Sequence, residues 1–198
     1  GATTWGFGPH GTPAGTVEVE EGADRDFVPD HEISDGDVIA GDNWTLEPIH
    51  TPGHTSNHLC VSLQEENIMF SGDHVMGWST SVISPPDGDM GDYLQSLRKL
   101  MTRDELRYWP THGPAIENPR PFVSAFIAHR EKREIQIQKC LKQGLATIPE
   151  MVEQLYKEVD PRLHRAAGRS VLAHLIHMIN TNRAKCEGVP GVDALYHP

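Results

Sequence analysis

Ile49-His50-Thr51-Pro52-Gly53-His54-Thr55 is the stretch on which the reading of this chain turns. An apolar strand ends at Ile49, Pro52 fixes φ, and Gly53 permits a sharp turn, which throws His54 out over the strand ends. His50, His54 and His58 also stand at i, i+4 and i+8, the spacing of one helix face, but Pro52 and Gly53 argue against a helix there. The run Ile68-Met69-Phe70-Ser71-Gly72-Asp73-His74 repeats the plan: an apolar strand, small residues, then Asp73 at the mouth, nineteen residues after His54. Tyr108-Trp109-Pro110-Thr111-His112-Gly113 is a third copy. Three strands that each finish in His or Asp beside Gly bring imidazole nitrogen and carboxylate oxygen to one rim. That donor set is the chemistry of Zn, Mn or Fe(II), not of Ca or Mg alone. Taken singly, each residue has an ordinary role as a solvated loop histidine or a turn aspartate. Taken together, His54, Asp73 and His112 are candidate metal ligands.

Around these motifs the first part of the chain reads as strands and loops. Gly1 to Asp30 is rich in Gly, Thr, Pro and acids and is expected to form a long solvated loop. Asp37–Ile39, Trp44–Ile49, Leu59–Leu63 and Ile68–Phe70 are short apolar runs bounded by turn residues, as buried strands are. Tyr93, Leu94, Leu97, Leu100 and Met101 recur at helical spacing and predict an amphipathic helix over about residues 90–102. Arg107-Tyr108-Trp109 is expected as a further short strand.

The last part reads as helical. Phe122, Val123, Phe126, Ile127, Ile137 and Leu141 mark a helix that Gly144 can close. Thr147-Ile148-Pro149-Glu150 is a capping box that starts a helix expected to run to about Val159. Asp160-Pro161 supplies another start, and Val171, Leu172, Leu175, Met178 and Ile179 give the third helix its buried stripe. A hairpin is expected around Gly188–Tyr196. Three helices and a terminal ribbon outline a winged helix.

Charge divides the chain at the same place. Residues 1–119 hold 5 basic and 20 acidic side chains, a net of −15, and residues 120–198 hold 12 and 8, a net of +4, which together recover the formal −11. The sign changes at the proline cluster Pro114 to Pro121, which sets expected domains at 1–121 and 122–198. The acidic balance argues against wholesale coating of nucleic acid, although Arg162, Arg165 and Arg169 leave RNA contact open beside the plainer reading of solvated helix faces, with pairs such as Arg130-Glu134. No apolar run approaches the ~20 residues of a membrane span, and no basic-then-apolar leader pattern stands near Gly1. Cys60, Cys140 and Cys186 form no C-x-x-C, so a reducing cytoplasm is the expected location, and none has the surroundings of a nucleophile.

T-P-G-H-T at 51–55, S-G-D at 71–73 and T-H-G at 111–113, in this order, resemble the metallo-β-lactamase superfamily. Gly77-Trp78-Ser79-Thr80-Ser81-Val82-Ile83, Pro85-Pro86-Asp87-Gly88-Asp89-Met90 and Tyr93-Leu94 resemble the subgroup typified by β-lactamase-like protein 2, which appends a winged helix. The resemblance implies an α/β chain: the second half of an αββα metallo-β-lactamase fold, then a small helical winged-helix-like domain. It implies that His54 and Asp73 hold one metal, that Asp73 bridges to a second, and that His112 completes the second site. The cofactor implied is Zn, two per intact site, with Mn or Fe as alternatives. The activity implied is hydrolysis of an ester, thioester or phosphodiester by a metal-bound hydroxide, with Asp73 as the catalytic residue. His74 is read as either supporting Asp73 or surface-exposed, and Trp78 with Ser79 as pocket lip, core packing being the competing role for the tryptophan. The chain departs from the family in lacking H-x-H-x-D-H, which implies that it starts in mid-fold and, alone, is inactive. The implied partners are a small-molecule or RNA substrate, a second copy of the chain, or an N-terminal half supplied in trans, with no membrane. A non-catalytic binding or assembly module and an RNA-binding endoribonuclease-like protein are the alternative functions.

Overall fold

Two pairs of residues far apart in sequence open the fold: β1 (Trp5–Gly6) lies parallel to β2 (His31–Glu32). The computed structural model describes residues 1–9 and 26–198. The long loop expected over 1–30 is therefore corrected at Trp5–Gly6. The parallel pairing is closed by the carboxylate of Asp30, which accepts from the backbone N–H and hydroxyl of Thr4. The rest of that expectation, residues 10–25, lies outside the described residues.

Six strands then form one sheet in the order β3 (Ile39–Gly41), β4 (Trp44–His50), β5 (Leu59–Leu63), β6 (Ile68–Gly72), β7 (Arg107–Pro110) and β8 (Ile116–Glu117). Asn43 and Asn67 take positive φ in the turns before β4 and β6, a backbone asparagine tolerates better than most residues. The pairing register explains which side chains are core. Ile49 faces Cys60, Ser62 faces Met69, and Met69, Tyr108 and Ile116 follow across the sheet, all of them buried. Phe70 and Trp109, opposite one another in register, are exposed. β8 falls inside the proline cluster, where no strand was expected.

Strand direction places the site. β4 and β6 each run antiparallel to β5, and β6 runs parallel to β7, so the C-terminal ends of β4, β6 and β7 share one edge. The helix α1 (Met90–Leu100) is capped by Asp89, whose carboxylate accepts the Asp92 N–H, and it buries Met90, Tyr93, Leu94, Leu97 and Leu100. It is tied to that edge. Tyr93 Oη donates to the His74 carbonyl at 3.1 Å and Ser96 Oγ to the Pro52 carbonyl at 2.8 Å.

The described chain divides into two units, Gly1–Val82 with Pro86–Ile127 and Ile83–Pro85 with Ala128–Pro198, the break falling within α2 (Pro119–Lys142). In the second unit, α3 (Ile148–Leu155) starts at the Thr147–Glu150 capping box. It ends four residues short of the expected Val159, because Tyr156, at φ −124° and ψ 32°, has left the helix. A 3-10 turn at Pro161–Leu163 under an Asp160 cap leads into α4 (His164–Asn180). The ribbon pairs β9 (Lys185–Cys186) with β10 (Tyr196–His197), which moves both strands to the rims of the expected hairpin. Ile137, Leu141, Met151, Val171, Leu175, Met178 and Tyr196 are among the residues of one apolar core. Arg130 and Glu134 are also buried, which corrects their reading as a solvated helix face. Glu134 accepts from His177 Nδ1 at 2.7 Å and pairs with Arg183 at 2.5 Å, and His174 Nδ1 lies 3.4 Å away. Burial alone would raise its pKa, but the donors from His174, His177 and Arg183 outweigh burial and hold the carboxyl well below the ordinary range.

Candidate metal centre

The loop after β4 is built to hold one imidazole still. His50 Nε2 donates to the Ser56 carbonyl, and Ser56 Oγ donates to Asp87 at 2.6 Å. Gly53 sits at φ +138°, and a Cβ there would stand 2.4 Å from the Tyr93 Cα, so only glycine lets the turn lie this close to α1. His54 Nδ1 lies 2.6 Å from the Val82 carbonyl oxygen. A carbonyl can only accept, so Nδ1 carries a proton, and in the neutral ring the lone pair is on Nε2.

That lone pair faces a carboxylate. His54 Nε2 is 3.8 Å from Asp73 Oδ2, and His112 Nε2 is 3.6 Å from Asp73 Oδ1, with side-chain exposures of 15%, 31% and 53% for His54, Asp73 and His112. The structure thus brings the three candidate ligands together, Asp73 in the middle with one oxygen toward each ring. Oδ1 is buried and has no hydrogen-bond partner. A lone pair opposed to a carboxylate is repulsive unless a proton or cation lies between. Two donors on one tetrahedral cation with ~2.0–2.2 Å bonds stand roughly 3.4 Å apart, close to both separations. The residues therefore fit a cation in type and in edge length. In number they fall short. Among the described residues, no group of three or more His, Cys, Asp or Glu side chains gathers so as to hold a metal ion.

One further histidine supports Asp73 directly. His58 Nε2 accepts the Asp73 backbone N–H at 3.2 Å, so its Nδ1–H donates to Thr51 Oγ1 at 2.9 Å, and Thr51 donates on to Cys60 Sγ. Its ring lies against Gly72, where a Cβ at φ +53° would stand 2.6 Å from Nε2. Burial first, then the rings of His54 and His50, push the His58 pKa down to about 4. His74 is fully buried beside His58 and Tyr93, which removes the surface-exposed alternative for it. Burial, then His58 and His54, hold it well below the ordinary histidine value. No helix forms over 50–58, as Pro52 and Gly53 predict, yet His58 reaches the site from that loop. The one signal that could have retained His58 is that a histidine opening a buried strand needs a polar partner. Burial also pushes the Cys60 thiol up to about 12, which keeps it protonated and unreactive.

The Metallo-beta-lactamase superfamily pattern matches residues 2–112, more than half of the chain. The chain belongs to the metallo-beta-lactamase superfamily. A second pattern, the beta-lactamase associated winged helix domain, matches residues 147–189, where the capping box, α4 and the first ribbon strand lie. Among metallo-beta-lactamase relatives, the chain is 41% identical over 126 residues to the beta-lactamase-like protein 2 homolog of Caenorhabditis elegans, covering 64% of this chain and 40% of that protein. It is 33% identical over 136 residues to the atrochrysone carboxyl ACP thioesterase of Aspergillus fumigatus, covering 63% and 42%. The chain thus spans less than half the length of these curated relatives. The crystal structure of a beta-lactamase domain protein from Burkholderia ambifaria superposes with a TM-score of 0.74 at 20% identity, over 87% of this chain and 54% of that one, which establishes the metallo-beta-lactamase fold. Among the described residues, no helix is long and apolar enough to cross a membrane.

Proposed function

We propose that this chain carries one face of a metal-dependent hydrolase site that cleaves acyl esters or thioesters. The observation that carries the proposal is the Asp73 carboxylate set between two imidazoles, one oxygen toward each. On this reading, His54, Asp73 and His112 would be the residues that this chain offers to Zn, Mn or Fe cations. Such cations would supply Lewis acidity and ease the deprotonation of water near neutral pH. The chain's own residues supply order. The Val82 carbonyl fixes the His54 tautomer, the His58 ring fixes the Asp73 backbone, and the Gly77 N–H holds the His112 carbonyl at 2.8 Å. Water oxygen joins the acyl carbon, the C–S or C–O bond breaks, and the departing thiolate or alkoxide takes the proton. The thioesterase name of one relative supports the acyl class. A phosphodiester suits the site less, because the first 119 residues carry a net of −15 and repel a polyanion.

A second reading has its own observation: each cation would receive two donors from this chain, where a catalytic zinc site uses three. On that reading the chain is a binding or assembly module without turnover of its own. Turnover of an acyl thioester with added Zn or Mn separates the two. Activity lost in Asp73→Asn supports the hydrolase, and no activity at any metal concentration supports the module.

A further inference from the structure

The segment after Asp73 touches both outer donors and then presents apolar surface beside them. The Gly77 N–H donates to the His112 carbonyl at 2.8 Å, and the Trp78 ring lies parallel to the His112 imidazole, with centroids 6.2 Å apart and planes within 6°. Four residues on, the Val82 carbonyl oxygen lies 2.6 Å from His54 Nδ1. Ser81 between them is buried. Trp78 nevertheless remains 72% exposed and Val82 57% exposed. A tryptophan anchored through its own backbone neighbours, in place without rearrangement, is a preformed apolar surface of the kind that seats ligands.

We infer that Trp78, with Val82, is the platform that receives the planar or bulky apolar acyl group of the substrate, and that it selects such acyl groups over small ones. The inference rests on the acyl-hydrolase reading for what happens after binding, and on the placement of Trp78 for the binding itself. The charge of the unit points the same way. With 20 acidic against 5 basic residues in positions 1–119, an uncharged aromatic or branched acyl group meets no electrostatic penalty, whereas a phosphate does. His112 beside the ring puts the seated acyl group within one side chain of Asp73 Oδ1, which lies 3.6 Å from His112 Nε2.

The test compares two thioesters of one thiol, acetyl and 2-naphthoyl, on the full chain with added Zn. The kcat/KM ratio of naphthoyl to acetyl is expected to exceed one and to fall about 10-fold in Trp78→Ala, with recovery in Trp78→Phe. An exposed control in the other unit, Val189→Ser, is expected to keep the ratio. An unchanged ratio in Trp78→Ala overturns the platform while leaving the hydrolase standing. If turnover is absent, or persists in Asp73→Asn, the hydrolase reading falls and the platform is read by binding alone. The Trp78 indole N–H resonance, assigned by its loss in Trp78→Phe, is then expected to shift saturably with 2-naphthamide and not with acetamide. A resonance that does not move with 2-naphthamide refutes the platform.

Discussion

His58→Leu removes a side chain of similar volume and both of its polar contacts. Two part-buried contacts are lost: the Asp73 N–H, bonded to Nε2 at 3.2 Å, and the Thr51 hydroxyl, which receives Nδ1–H at 2.9 Å. Leaving a buried polar group unsatisfied costs ~1–3 kcal/mol. Thr51 keeps its second contact with Cys60, so its share belongs at the low end. The sum is about 2–4 kcal/mol. With a urea m-value of ~2 kcal/mol/M, this moves the unfolding midpoint down by roughly 1–2 M. The assay can be confined to the unit that holds the site, because all four tryptophans, Trp5, Trp44, Trp78 and Trp109, lie within it. Tryptophan emission therefore reads this unit, while far-UV dichroism is weighted toward the helical one. His58→Gln, whose amide oxygen can accept the Asp73 N–H, is expected to recover part of the loss. A shift below about 0.3 M in His58→Leu would refute the claim that His58 holds the Asp73 backbone.

Further outcomes follow from other contacts. Gly53→Ala places a Cβ 2.4 Å from the Tyr93 backbone at φ +138°, so a loss of about 2–3 kcal/mol is expected by tryptophan-monitored urea unfolding, and wild-type stability would contradict that packing. Thr147→Ala removes the capping box that opens α3 and is expected to cost about 1 kcal/mol in the helical unit, read by far-UV dichroism. His174 is buried, and burial, against the pull of Glu134 and with Arg130 and Arg133 adding to it, holds its pKa below the ordinary value. A histidine depressed in the folded state takes up protons first in the unfolded state, so its contribution to stability is full above about pH 6.5 and is lost as pH falls toward its folded value. Glu134, depressed by His174, His177 and Arg183, adds a second loss below about pH 4.5. The helical unit is therefore expected to lose stability from pH 7 to 5, with a shallower slope in His174→Gln. Equal slopes would remove His174 as the cause.

What could be read in the sequence was local. β4 to β7, α1 and the Thr147 capping box were legible because an apolar run between turn residues, a helical stripe and a capping pair carry their own signals over a few residues. The meeting of His54, Asp73 and His112 follows from three strand ends, since β4, β6 and β7 run the same way and finish at one edge. Partners far apart in the chain were not legible. Trp5–Gly6 pairs with His31–Glu32 across 26 positions, and Glu134 finds His174, His177 and Arg183 at 40 to 49 positions. Arg130 and Glu134 looked like a surface pair because an i, i+4 match on one helix was the only partner visible in sequence. The role of His58 is not legible in sequence, because its partner is a backbone N–H, which no residue type announces.

The most direct test of the account is zinc affinity, measured by competition with a chromophoric chelator on the full chain and on Asp73→Asn. Wild-type protein is expected to bind zinc, Asp73→Asn to weaken binding by at least ~10–100-fold, and His54→Ala and His112→Ala each to weaken it as well. Zinc binding that is absent in the wild type, or equal in wild type and Asp73→Asn, would contradict the placing of a metal centre at this carboxylate.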